Sequence, residues 1–219
     1  MRPVNGPFFV APSPWFPLPA RLAILLSGRG SNFEALADAC DRGELPARIV
    51  LVLSDRLDAP GLEKARRRGL PALCEERGAG EARAAHEERL AARIEAAGAD
   101  VVCLAGFMRV LSPAFVTRLE RRIVNVHPSL LPSFPGLEAQ KQALEHGVMV
   151  AGATVHLVDA GTDTGPIAGQ EAVRVLPGDD AARLSARILD VEHRLYPSVL
   201  ARLLAGGWSV RGRRLAYPS

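Results

Sequence analysis

Several things are scarce in this chain, and each scarcity excludes something. Of 219 residues only three are cysteine, Cys40, Cys74 and Cys103. Odd in number, far apart and set among apolar or helical residues, they form neither a disulfide framework nor a zinc-ligand spacing, and they fit a reducing, cytoplasmic setting. Lysine is nearly absent: Lys64 and Lys141 stand alone, so arginine carries the net charge of +3. Aromatic residues make up 5% of the chain, and the arginine runs at 66–68 and 211–214 have none interleaved with them. A single-strand nucleic-acid platform needs stacking faces beside its cations, so no nucleic-acid partner is expected. No apolar run reaches the ~18 residues of a membrane span, so no membrane partner is expected either. The basic balance suits anionic small molecules instead.

Nor is the first stretch of the sequence expected to be a secretory leader. Residues 1–20 are rich in proline and aromatics, without periodicity, an apolar core or a small-residue cleavage site. They are expected to be a disordered extension outside the fold, with residues 21–219 forming a single domain of ordinary α/β size.

What is present is alternation. Apolar runs at Arg21–Ser27, Ala47–Ser54, Leu70–Cys74 and Asp100–Ala105 read as buried strands, and Phe33–Cys40, Ala59–Arg68 and Gly80–Ala97 have helical spacing. Strand alternating with helix at this spacing implies βαβ units: an α/β fold with a mostly parallel twisted sheet and helices on both faces. Beyond a helix at Glu138–His146, the closely spaced strands Ala151–Val158 and Ile167–Val175 suggest an antiparallel addition in the C-terminal part. Asp180–Leu204 reads as a long helix interrupted or bent near Pro197, and Trp208–Tyr217 as a last edge strand.

The chain is organised around the stretch from Arg122 to Gly136. Ile123, Val124 and Val126 are apolar and β-branched, as in a strand buried on both faces, and Pro128 ends its ladder. Asn125 and His127, two residues apart on an extended segment, leave on the same face at the strand's carboxyl end. Open α/β sheets bind ligands there. The plainer reading is a buried strand and a proline-stiffened turn with His127 as a core histidine.

Three further segments carry candidate chemistry. Gly28-Arg-Gly-Ser-Asn32 follows the first strand, but Phe33 occupies the third glycine position of a dinucleotide fingerprint. What remains is an anion nest at a helix start, fit for a phosphate monoester, or a tight turn with Ser31 or Asn32 as cap. Asp55, after the second strand, is expected to cap a helix or turn. The loop Asp159–Pro166 holds Asp163, which beside His127 would favour the imidazolium. Two donors and a proton reservoir suit the oxyanion formed when an amine attacks a carbonyl; a serine nucleophile would need an elbow that neither Ser31 nor Ser129 occupies. The loop Ala105–Pro113 is mostly apolar, can wall a flat ligand, and has a helix start at Ser112-Pro113.

Taken together, the segments Ser27–Asn32, Leu104–Arg109, Asn125–Pro132 with Phe134–Gly136, and Asp163–Pro166 resemble, in order and spacing, the phosphoribosylglycinamide formyltransferases of purine synthesis. The resemblance runs from about Arg21 to Pro197 and implies a Rossmann-like formyltransferase fold. It implies direct formyl transfer from 10-formyltetrahydrofolate to the amine of glycinamide ribonucleotide through a tetrahedral intermediate, by a monomer or homodimer without metal. Asn125, His127 and Asp163 match the catalytic residues, and Gly30, Ser31, Asn32 and Glu192 the ribotide-binding ones. Met108, Arg109, Val110 and Leu111 match the folate pocket, with Asn125, Asp159 and Asp163 closing it and Arg83 near the folate tail. Leu189 falls where relatives can carry a polar residue. A methionyl-tRNA formyltransferase would need a further carboxy-terminal domain, and a formyltetrahydrofolate hydrolase a regulatory domain ahead of the core; a nucleotide-sensing module would not need Asn125, His127 and Asp163 together.

Overall fold

The computed structural model describes residues 8–218. In chain order the elements are β1 (Phe8–Val10), β2 (Ala20–Leu26), α1 (Ser31–Asp41), β3 (Ala47–Ser54), α2 (Pro60–Arg67), β4 (Ala72–Cys74), α3 (Arg83–Ala96) and β5 (Val101–Leu104). There follow α4 (Pro113–Arg118), β6 (Ile123–His127), α5 (Ala139–Glu145), β7 (Val150–Leu157), β8 (Ile167–Arg174), α6 (Ala181–Ala205), β9 (Ser209–Arg211) and β10 (Arg214–Ala216). One ten-stranded sheet runs β1-β9-β10-β8-β7-β6-β5-β2-β3-β4. From β4 to β6 every pairing is parallel; β6 to β7 and β7 to β8 are antiparallel. The mostly parallel α/β sheet with an antiparallel C-terminal part is therefore as the sequence suggests.

The apolar runs work because side chains alternate across a strand. Leu22, Ile24 and Leu26 of β2 enter one core with α1 and α6, while Ala23 and Leu25 enter a second with α3 and α4. Both faces are thus covered, as parallel strands require. The chain steps outward from β2 to β3 and β4, then returns to β5 on the other side of β2. That reversal sends the chain after β2 to α1 on one face and the chain after β5 to α4 on the other, and a crevice opens at the carboxyl ends of these strands. No helix among the described residues is long and apolar enough to cross a membrane.

Three expectations are corrected. Residues 8–20 belong to the fold, while 1–7 lie outside the described residues. β1 pairs antiparallel with β9, Phe8 opposite Arg211 and Val10 opposite Ser209. Trp15 is buried edge-on against Trp208, with ring centroids 5.0 Å apart, and its amide donates to the Leu204 carbonyl at 3.0 Å. Prolines hid this segment from periodicity, but its aromatics supply the burial. Second, of the break or bend expected near Pro197 the break does not occur, since α6 continues through that residue. Proline removes one amide donor, and packing along a 25-residue helix outweighs that loss. Third, the tail is a pair of short strands, and the sheet's outer edge is β1.

Candidate active site

A cavity of about 810 Å³ opens at the carboxyl ends of β2, β5 and β6. The glycine loop after β2 forms one end. Gly30 has φ +72°, and a Cβ there would stand 2.7 Å from the Gly61 Cα. The Gly61 amide donates to the Gly28 carbonyl at 3.0 Å, so the first turn of α2 braces the loop. Neither Ser31 nor Asn32 caps α1: the N-cap is Gly30, with no side-chain bond. The amides of the first turn are left for something else to satisfy. Asn32 instead donates its Nδ2 to Glu192 Oε2 at 2.7 Å, joining α1 to α6, and its buried Oδ1 has no partner. Burial pushes the Glu192 carboxyl up to about 7, against the lowering bond from Asn32.

At the centre, Asn125 and His127 leave β6 on the cavity side. His127 Nε2 lies 2.9 Å from the Phe134 carbonyl oxygen, which can only accept, so this nitrogen carries a hydrogen. Nδ1 therefore faces Asp163 Oδ2 at 3.5 Å. Asp163 sits at φ +54°, uncommon for a residue with a Cβ. The next turn is forced by Gly165, where any Cβ would stand 1.8 Å from the Leu157 carbonyl oxygen. Asp163 Oδ2 accepts from the Gly136 amide at 2.8 Å, tying its loop to the proline loop after His127. Burial alone would raise the Asp163 carboxyl, but the neighbouring His156, the Gly136 amide and the nearby His127 hold it below the usual range.

His127 itself is shifted down. Burial outweighs the Phe134 carbonyl and the Asp163 carboxylate, which act the other way. The expectation of a resting imidazolium is thus corrected: the free site favours neutral His127 beside ionised Asp163.

His156 is the residue the sequence reading missed. It lies on β7 directly across the ladder from Asn125. Its Nδ1 donates to the Leu157 carbonyl at 3.0 Å, so Nε2 accepts from Asn125 Nδ2 at 3.1 Å and stands 3.6 Å from Asp163 Oδ1. The available signal was a lone histidine in an apolar strand, and only the β6–β7 register gives it meaning.

Leu104, Phe107, Met108, Val110, Leu111 and Val158 give the other end an apolar wall. Arg109 and Asp159 also line the cavity. Asp55 is no cap: its Oδ2 accepts from Arg109 Nε at 2.5 Å. Asp159 braces its own turn, accepting from the Gly161 amide at 3.1 Å and the Thr164 hydroxyl at 2.6 Å. Ser112 caps α4 as expected. Arg83 is set apart. It lines a neighbouring cavity of about 210 Å³ that shares Phe107, Arg109, Val110 and Leu111 with the main one, and it donates to the Val110 carbonyl at 2.6 Å. Leu189 lines the main cavity beside Glu192.

A flat apolar wall, a carboxylate–imidazole–amide cluster and an uncapped helix start share one cavity. Comparison with known proteins points the same way. The family model described as formyl transferase matches residues 20–200. Phosphoribosylglycinamide formyltransferase of Mycobacterium tuberculosis is 44% identical over 210 residues, 96% of this chain and 95% of that protein. The trifunctional purine biosynthetic protein adenosine-3 of Drosophila melanogaster is 47% identical over 188 residues, but the chain spans only 14% of its length. The crystal structure of glycinamide ribonucleotide transformylase 1 from Symbiobacterium toebii matches with TM-score 0.89 at 50% identity, covering 91% of this chain and 94% of that one. The chain belongs to the formyl transferase family and, within it, stands with the phosphoribosylglycinamide formyltransferases.

Proposed function

We propose that the protein transfers the formyl group of 10-formyltetrahydrofolate directly to the amine of glycinamide ribonucleotide, a step of purine biosynthesis in the cytoplasm. The observation that carries this reading is the meeting of Asn125, His127, His156 and Asp163 in the cavity that the apolar wall and the glycine loop also line. A cavity near 810 Å³ lies toward the upper end for single small ligands and suits two substrates side by side. The apolar wall fits a pterin ring, and the free amides at the start of α1 fit a phosphate.

Holding the amine against the formyl carbon supplies much of the rate, because a bimolecular encounter becomes a unimolecular one. Attack moves the carbonyl electron pair onto oxygen. Asn125, with its amide oriented by His156, donates to that oxygen as charge develops. Such a donor contributes ~3 kcal/mol in a water-poor site. His127, neutral at rest, gains proton affinity as negative charge builds beside it, so the one proton leaving the ammonium is shared between its Nδ1 and the Asp163 carboxylate that faces it. Asp163 is also the base nearest the reacting centre, able through water to take the proton from the ammonium formed at nitrogen and pass it to the departing folate nitrogen. The tetrahedral intermediate then collapses by breaking the bond from carbon to that nitrogen.

Gly30, Ser31 and Asn32 bind the ribotide phosphate in this reading, and Glu192 its sugar hydroxyls. Met108, Arg109, Val110 and Leu111 hold the folate with Asp159, and Arg83 lies nearer its tail. The test is incubation with 10-formyltetrahydrofolate, with and without glycinamide ribonucleotide, following formylated ribotide and free tetrahydrofolate. Ribotide-dependent transfer is expected. Release of formate at the same rate without ribotide would assign a hydrolase instead, and no reaction would remove the proposal.

A further inference from the structure

Charge in the cavity is distributed unevenly. Four carboxylates line it, Glu138, Asp159, Asp163 and Glu192, against two arginines, Arg29 and Arg109, and no lysine. Arg109 is already held by Asp55, at 2.5 Å. Arg29 is exposed on the glycine loop, between Gly28 and Gly30, and among the described residues it has no ion-pair or hydrogen-bond partner. The α6 wall facing this loop offers Ala182, Ser185, Ala186 and Leu189, none of which is charged. A dianion entering the uncapped end of α1 therefore meets neutral amides and a helix dipole, which hydrogen-bond it without neutralising it, in a cavity otherwise biased against negative charge.

Resting on the assignment of glycinamide ribonucleotide as substrate, we infer that Arg29 is the counter-charge for its phosphate and sets the preference for nucleotide over nucleoside. Gly28 on one side and Gly30 on the other let the backbone turn its amides inward while the Arg29 side chain reaches over the same anion. A guanidinium matches two phosphate oxygens at once, so the residue adds geometry as well as charge. Asn32 Oδ1, buried and without a partner, stands one step further in and is suited to accept from a hydroxyl of the attached sugar.

The experiment compares wild type, Arg29→Met and Arg29→Lys on glycinamide ribonucleotide and on the same molecule without its phosphate. Arg29→Met should raise KM for the nucleotide about tenfold, the size of a charge-assisted contact, with the change in KM rather than kcat. Arg29→Lys should recover part of it. On the dephosphorylated substrate wild type and Arg29→Met should coincide, a pattern that a merely structural role for the loop would not give. Equal kinetics on the nucleotide, or equal losses on both substrates, would overturn the inference. If wild type transfers nothing to the nucleotide, the activity proposed above fails, and titration with inorganic phosphate decides Arg29 separately. Weaker phosphate binding by Arg29→Met upholds its role, and unchanged binding refutes it.

Discussion

Replacing Glu192 by glutamine should make the empty protein more stable and the working enzyme worse, with a pH dependence that identifies the cause. Glu192 is 6% exposed, its carboxylate accepts one bond from Asn32, and among the described residues it has no ion-pair partner. Burial raises its pKa from an ordinary 4.5 to about 7. Because the folded-state value lies above the unfolded one, the fold has its full stability below about 4.5 and loses it as pH rises toward 7. At ~1.4 kcal/mol per decade of proton affinity, holding the ionised carboxylate above pH 7 costs the fold ~3 kcal/mol. Glutamine keeps the shape and an oxygen for Asn32 Nδ2, and it does not ionise. Urea unfolding should therefore show Glu192→Gln ahead of wild type by ~2–3 kcal/mol at pH 8 and nearly level with it at pH 4.5. A gap of the same size at both pH values would refute the reasoning, since it would then arise from packing. Over the same range KM for the ribotide should rise in the variant, because the charge disfavoured in the empty site is what receives the sugar hydroxyls.

Asp163→Asn should lower kcat about a thousandfold while ribotide affinity, read by calorimetry, stays within about twofold. Equal loss of both would contradict its role beside His127. His156→Phe removes the acceptor that orients the Asn125 amide and should cost at least about tenfold in kcat; combined with Asn125→Ala it should add little, and full additivity would separate the two residues. Trp15→Ala leaves a hole against Trp208 and should lower unfolding stability by ~3–5 kcal/mol, with kcat at 25 °C unchanged. No stability change would return residues 8–20 to the status of a loose extension.

How much of this was legible in the sequence depends on the range over which each signal acts. β2 and β3 read clearly because strands buried on both faces must be apolar throughout, and Ser112-Pro113 because a cap and a first-turn proline are local. Asn125 and His127 were legible as a pair from strand geometry alone. Trp15 was not, since its partner, Trp208, lies at the far end of the chain and no periodicity connects them. His156 became meaningful only once β7 was known to run antiparallel to β6 with Asn125 in register. Asp55 looked like a cap because its partner, Arg109, is supplied by a loop after another strand. The resting charge on His127 was misjudged for a related reason: a neighbouring carboxylate can be guessed from sequence, whereas the depth of burial that outweighs it cannot.

The two rims of the sheet have a consequence for how copies of the protein meet. Among the described residues, β1 at one rim and β4 at the other each run for only three residues. A neighbouring molecule seeking to extend the ladder at β1 or at β4 finds a strand of only three residues there, too little to hold an added strand firmly. Growth of the sheet past either of these two rims is therefore disfavoured.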